Sequence, residues 1–315
     1  MEPSASSDSP EFDVEASRPA ARTVSAPWRN QTRIRKSLVA DLGIQRVNPN
    51  KALWEKGDFT RIADTMRRSG EELVSTLRIQ PGMRVLDLGC GDGTTALPMA
   101  QHGADVLGVD IAENLVAAGN RRAKTAGLSN VRFQQGDACN LKGIADESFD
   151  LVVSIFGAMF APKPLDVTRE LLRVTKAGGR IVMGNWIPGD PTLVAQILKI
   201  SSAYTPPPPT GFVSPMLWGD QDQVRDRFGA YGVDPADIGF ERATWFFRMA
   251  EPPSELFAIF RDFYGPTMNA FDAAAREGRV FELARELKTL FQSQNQGSEW
   301  TEIPATFLKV TVTKR

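Results

Sequence analysis

Between residues 85 and 94 the chain reads Val-Leu-Asp-Leu-Gly-Cys-Gly-Asp-Gly-Thr, a short apolar run that breaks into three alternate glycines. Residues 83–88 have the length of a buried strand, and a helical pattern starts at about Thr94. Gly89, Gly91 and Gly93 lack the β-carbon that would bar a sharp turn, so the backbone can bend there and approach a ligand. The helix behind the turn points its unpaired N–H groups at the same place. A strand, a tight glycine turn and a helix in this order favour a parallel α/β sheet, because parallel strands need a crossover connection.

The rest of the chain keeps that rhythm. Strands are expected at residues 105–109, 131–135, 150–155 and 180–183, with helices at 113–126 and 165–175. Upstream, Phe59, Ile62, Met66, Leu73 and Leu77 recur at helical spacing from about Leu53 until the Pro81-Gly82 turn. After Asn185 the pattern changes to a helix at 192–200, a proline run from Pro206 to Pro209, Trp218-Gly219 and a helix ending near Phe228. A strand at 240–248, helical stretches over 253–292 and an alternating strand at 303–313 follow. The expected architecture is a doubly wound, mostly parallel seven-stranded α/β sheet with an antiparallel edge strand. Helical insertions would cap its carboxyl edge, where open α/β sheets bind ligands.

Residues 1–30 are rich in Ser, Pro, Ala and Glu and are expected to form a disordered tail. A helical segment at 31–80, a core at 81–186 and a region of cap insertions plus the last two strands at 187–315 complete the expected layout. A net charge of −1 gives no general attraction to nucleic acid or an anionic membrane. Cys90 and Cys139 cannot build a disulfide framework or a zinc site by themselves, and they fit reduced thiols in a cytoplasmic protein. No basic-then-apolar leader is expected, and no apolar run is long enough for a membrane span.

The glycine spacing is G-x-G-x-G, and Asp87 stands two residues before the first glycine. A diphosphate in that turn would be repelled by the carboxylate, whereas a cationic ligand would be attracted. Asp110, 23 positions further on, ends the second strand, where a carboxylate can accept both hydroxyls of a ribose. Asp137 and Ala138 follow the third strand, within reach of an adenine amino group. Ser154 and Phe156 end the fourth strand, facing the reacting centre.

In this order the motifs resemble the class I S-adenosylmethionine-dependent methyltransferases, with a Rossmann-like sheet, from about Trp54 to Asn185. The residues that carry the likeness are Asp-x-Gly-x-Gly-x-Gly from Asp87, Val-Asp-Ile ending at Ile111, Gly-Asp-Ala ending at Ala138, Phe149-Asp-Leu-Val-Val-Ser154 and Ala177-Gly-Gly-Arg-Ile181. The chain looks closest to the ubiquinone-biosynthesis-like small-molecule group, the kind with a methyltransferase type 11/25 domain. Trp54-Glu-Lys-Gly-Asp-Phe59, Asn185-Trp186-Ile-Pro188 and Trp218-Gly219 add to that likeness. It implies S-adenosylmethionine as cofactor, its methionine portion held by Asp87, Gly89, Cys90, Gly91 and Gly93. Asp110 and Ile111 would hold the ribose, and Asp137 and Ala138 the adenine.

Nothing in the resemblance assigns the acceptor. The tip of the fourth strand lacks the Asp-Pro-Pro-Tyr or Asn-Pro-Pro-Tyr of many base and amide methyltransferases, which argues against those acceptors. A small-molecule acceptor is expected, with Trp186, Tyr204 and Trp218 as candidates for its pocket. The alternatives are a protein or nucleic-acid methyltransferase and a non-catalytic binding module. No metal is expected, a homodimer is left open, and no residue is assigned as a base, although Tyr204, Asp190 and Asp220 lie nearest by segment. His102, at a helix end on the amino edge of the sheet, is expected to be structural.

Overall fold

The computed structural model describes residue 48 and residues 50–315. The tail expected at residues 1–30, and the first part of the expected 31–80 segment, lie outside the described residues. Three short helices come first: α1 (Asn50–Glu55), α2 (Phe59–Asp64) and α3 (Arg67–Thr76). The sequence periodicity reads them as one stretch, and local polar chemistry divides it. Asp58 caps α2 by accepting the Thr60 N–H at 3.2 Å, and at the other end Thr65 Oγ1 donates to Ile62 O at 2.7 Å. Gly57, in the first break, sits so close to the chain that a β-carbon there would lie 2.2 Å from Phe263 O.

The sheet begins with β1 (Arg84–Leu88), α4 (Ala96–Gln101), β2 (Asp105–Asp110), α5 (Glu113–Thr125) and β3 (Val131–Gln135). It continues with β4 (Phe149–Ile155), α6 (Pro164–Val174), β5 (Thr175–Trp186), α7 (Leu193–Ser202) and α8 (Gln221–Gly229). The last elements are β6 (Ile238–Met249), α9 (Pro253–Phe263), α10 (Gly265–Arg276), α11 (Val280–Gln294) and β7 (Thr301–Thr313). The strand order is β3-β2-β1-β4-β5-β7-β6, with β1 to β5 parallel and β7 antiparallel to both of its neighbours. The seven-stranded, mostly parallel sheet expected from the sequence is therefore present.

Helices cover both faces of the parallel part, so Val85, Leu86, Leu88, Val106, Leu151, Val152 and Val153 are all buried. That is why β1, β2 and β4 read as continuous apolar runs rather than alternating ones. The order reverses between β1 and β4, and this opens a crevice at their carboxyl tips.

Two strands run further than the apolar pattern indicates. β5 starts at Thr175, which pairs with Phe149 across a register shift. β7 does not end the sheet; it sits one place in, between β5 and β6, and β6 is outermost. Its burial changes phase along its length, from Thr301, Ile303, Ala305 and Phe307 to Leu308, Val310 and Val312. Residues before Phe307 pair with β6 alone and form a ribbon beyond the sheet, while later ones are flanked on both sides.

The helices between β6 and β7 form a cap, with α9 packed on α2 and α10 on α1. The docking is close, since a β-carbon at Gly265 would lie 2.3 Å from Leu53 O. No helix among the described residues is long and apolar enough to cross a membrane.

Gly219 ends a single turn of 3-10 helix, Pro215–Gly219, that presses on the end of β5. A β-carbon there would lie 2.0 Å from Trp186 O. Gly219→Ala is expected to lower the unfolding free energy by about 2 kcal/mol in a denaturant titration. Wild-type stability in that variant would show that the turn has room to move.

Candidate active site

The crevice at the strand tips is a recess of about 950 Å³ counted with the open solvent at its mouth. Its floor is the turn after β1. Gly89 and Gly91 adopt φ of +71° and +55°, conformations that side chains disfavour, and a β-carbon on Gly91 would project into open space. Gly89 N donates to Val109 O at 2.7 Å, tying the turn to β2. Gly89 also touches the turn after β4: a β-carbon on Gly157 would lie 2.6 Å from Gly89 Cα.

Two carboxylates sit around this floor. Asp110 Oδ2 accepts the Gly91 N–H at 2.8 Å and Oδ1 accepts the Ala112 N–H at 2.9 Å, while the residue lines the recess. Burial raises its pKa, and the backbone N–H donors oppose that rise. Asp87 lies beneath the turn, 1% exposed, and Oδ2 accepts from Thr95 Oγ1 at 2.6 Å. Its Oδ1 is buried with no partner. Burial pushes the Asp87 carboxyl up to about 7; the Thr95 hydrogen bond opposes the shift and the Asp110 charge adds to it. Among the described residues, the ionisable side chains of the wall are Cys90, Asp92, Asp110 and Asp137, and none carries positive charge. Burial, followed by the charge of Asp110, holds Cys90 firmly as a thiol.

The tip of β4 shapes the opposite end. Ser154 Oγ donates to Leu88 O at 2.7 Å and accepts the Ala158 N–H at 2.9 Å, and so binds the turn to β1. Within that turn Phe156 takes a φ of +55°, a strained conformation for a large side chain. Its ring lines the recess and stacks on Trp186 at 3.6 Å between centroids. Trp245, from β6, meets Phe156 edge to face at 5.1 Å. Trp54, Phe59 and Phe160 complete an aromatic end, with Trp54 and Phe160 4.9 Å apart.

Residue 48 and residues 50–67 form the roof, and polar side chains tie them to the loops beyond β1, β2, β3 and β4. Arg67 grips Asp92 in the glycine turn, with Nη1 2.7 Å from Oδ1, and also reaches Thr94. Glu55 accepts the Glu113 N–H at 3.0 Å, beyond β2. Asn48 donates to Asp137 Oδ1 at 3.2 Å, beyond β3, and Asn50 donates to Phe160 O, beyond β4. Asp92 is only 2% exposed, so the forked contact from Arg67 replaces the water it would otherwise hold.

Of the residues singled out from sequence, Gly89, Cys90, Gly91, Asp110, Ile111, Asp137, Ala138 and Phe156 line one recess. Asp87 and Ser154 lie behind the wall in the positions just given. Gly93 also lies behind it, where a β-carbon would strike Leu97 at 2.3 Å, so that glycine serves packing. Trp186, Tyr204 and Trp218, expected at an acceptor pocket, do not line this recess. Trp186 backs Phe156, Tyr204 is buried with its hydroxyl donating to Glu286 at 2.5 Å, and Trp218 is buried against Phe228 and Arg227. These aromatics belong to the main hydrophobic core, and Trp54, Phe59, Phe160 and Trp245 hold the wall instead.

Asp190 is also occupied elsewhere, paired with Arg242 at 2.7 Å, and Asp220 caps α8. His102 is the C-cap of α4. The roof residues were missed because Trp54, Phe59 and Met66 have the spacing of ordinary core positions. The one available signal was the Trp54 to Phe59 tract itself.

A methyltransferase domain model matches residues 86–183, which span β1 to the middle of β5. An uncharacterized protein of Mycobacterium tuberculosis is 32% identical over 246 residues, covering 75% of this chain and 87% of that protein. The demethylmenaquinone methyltransferase of Geobacillus kaustophilus is 36% identical over 115 residues, 36% of this chain and 49% of the relative. The chain belongs to the S-adenosylmethionine-dependent methyltransferases. The YcgJ protein of Bacillus subtilis shares the fold, with a TM-score of 0.51 and 22% identity over 79% of this chain and 98% of that one. As a member of that family, this methyltransferase uses S-adenosylmethionine as its cofactor. The residues fit such a ligand: the recess has an unpartnered carboxylate oxygen beneath its floor, a glycine cradle that a β-carbon would fill and no cation in its described wall.

The raised pKa of Asp87 gives a pH signature for the ligand-free enzyme. Between the ordinary value of 3.8 and about 7 the folded state holds the proton more tightly than the unfolded chain. Stability from this group is therefore greatest at low pH and falls as pH rises through that window. Asp87→Asn without cofactor is expected to be more stable than wild type at pH 8, with the advantage shrinking toward pH 4. Denaturant titrations across that range measure it, and a difference independent of pH would refute the protonated carboxyl.

Proposed function

We propose that this enzyme transfers a methyl group from S-adenosylmethionine to a small, largely apolar acceptor enclosed by aromatic side chains. The observation that carries the reading is the polarity of the recess. Its carboxylates gather on the tips of β1 to β3, and Trp54, Phe59, Phe156, Phe160 and Trp245 form the other end under a tied roof. A protein or nucleic-acid acceptor calls for an open groove, and a nucleic acid also for a basic rim.

In this reading the backbone of Gly89, Cys90 and Gly91 holds the amino-acid end of the cofactor, with the Asp87 carboxyl beneath that turn. Asp110 receives the ribose hydroxyls beside Ile111, and Asp137 and Ala138 meet the adenine. The sulfonium of the bound cofactor supplies an electrophilic methyl group. The chain's own task is alignment and exclusion of water, which can lower a barrier by several kcal/mol without proton transfer. Phe156, fixed by its turn and by Trp186, is part of that aromatic wall. Asn48 and Arg67 hold the roof to the loops that hold the cofactor.

The test is turnover on a panel of low-mass aromatic and aliphatic acceptors, read as S-adenosylhomocysteine formed, beside a panel of peptides and oligonucleotides. Activity confined to the polymers would overturn the small-molecule reading. Asp110→Ala is expected to weaken S-adenosylhomocysteine binding about tenfold or more, the scale of one lost charged hydrogen bond, while the circular dichroism spectrum stays unchanged. Wild-type affinity in that variant would remove the ribose role.

A further inference from the structure

Asp92 is the charged side chain of the glycine turn, and the backbone on either side of it is glycine. Gly91 and Gly93 are both left-handed, and Gly93 N closes the bend by donating to Cys90 O at 3.0 Å. Glycine visits left- and right-handed conformations with similar ease, so this bend has little shape of its own. Contacts from outside must hold it. Asp110 does so on one side by accepting the Gly91 N–H. On the other side the hold comes through Asp92, which lines the recess and is almost fully buried.

Arg67, the first residue of α3, grips both oxygens of that carboxylate. From α5, Arg122 Nη1 donates to the Asp92 main-chain oxygen at 2.6 Å. Arg67 does not itself line the recess; it lies behind the turn, along a groove shared with Arg122. It also reaches Thr94, on which α3 presses, since a β-carbon on Gly70 would lie 2.6 Å from Thr94 O. A fork of two N–H bonds fixes the angle of a carboxylate as well as its position, which a point charge does not. A buried carboxylate deprived of its cation is strongly unfavourable, and the pliant bend would yield to let water reach it.

We infer that Arg67 is a positioning residue for cofactor binding: acting through Asp92, it sets the shape of the turn that receives S-adenosylmethionine. The inference rests on the cofactor placement proposed above and adds a control that lies outside the recess. Coupling between two sites is reciprocal, so a ligand held by the turn also steadies α3, none of whose residues lines the recess.

Calorimetry on the full chain, well below its melting temperature, gives the affinity for S-adenosylhomocysteine in wild type, R67M, D92N and R67M/D92N. R67M is expected to bind about tenfold more weakly, the scale of one charged hydrogen bond. In the D92N background the same change is expected to cost little more, because the group through which Arg67 acts is already neutral. An arginine that served the fold alone would lower the melting temperature and leave the affinity of the folded chain untouched. Wild-type affinity in R67M, or an equal loss in both backgrounds, overturns the inference. A second measurement needs no variant: saturating the wild-type chain with S-adenosylhomocysteine should slow amide exchange across α3. Unchanged exchange there overturns the inference as well. The cofactor placement is judged separately by Asp110→Ala. If that variant weakens binding and R67M does not, only the role of Arg67 is lost; if Asp110→Ala binds as wild type does, the placement falls and the inference falls with it.

Discussion

Two carboxylates, Asp87 and Asp110, are buried at neighbouring strand tips around one glycine turn, and the site is organised by the loss of water around them. In a medium that solvates charge poorly, a carboxyl group with no cation beside it favours the proton. Asp110 relieves part of the strain by accepting two backbone N–H groups, and Asp87 relieves less, with one oxygen left over. The left-handed glycines follow from the same need, since only they let the loop bring its N–H to Asp110 while leaving space above. The negative end of the recess is thus built mainly from backbone and the ends of β1 and β2, and it depends little on the cap.

The aromatic end is fixed by different means. Phe156 holds a backbone conformation that costs about 1–3 kcal/mol, and its surroundings enforce it. Ser154 clamps the turn from below, Gly157 presses on Gly89, and Trp186 offers a flat ring for stacking. The strain and the glycine contact couple the two ends, because the turn that aims Phe156 also touches the floor beneath the cofactor's place. A shift in one backbone would be felt by the other within a single van der Waals contact.

Much of this was legible in the chain. The strands of the parallel part announce themselves because burial on both faces demands unbroken apolar runs, and the acidic residues of the site stand at their ends. β5 and β7 were harder: the Lys176 to Gly179 stretch is polar, and β7 changes its buried face at Phe307 and Leu308, which defeats a simple alternation. The aromatic wall of the recess was not legible for a physical reason. A tryptophan near a strand tip can face the recess or the hydrophobic core, and composition cannot say which. Trp186, Tyr204 and Trp218 all face inward, whereas Trp245 on a strand and Trp54 on a short helix face the recess. The roof ties were hidden because Asn48 and Asp137 are 89 positions apart, and no local pattern encodes such a partnership.

The four ties of residue 48 and residues 50–67 join that stretch to loops that follow it far along the chain. The glycine turn and the carboxylates of the recess are written in the middle of the chain, while the roof is written before them. The long stretch after β5 contributes a single wall residue and otherwise acts as scaffolding. Another sequence in that stretch would keep the recess covered only if it brought an arginine for Asp92, a carboxylate for the Glu113 N–H and amides for Asp137 and Phe160.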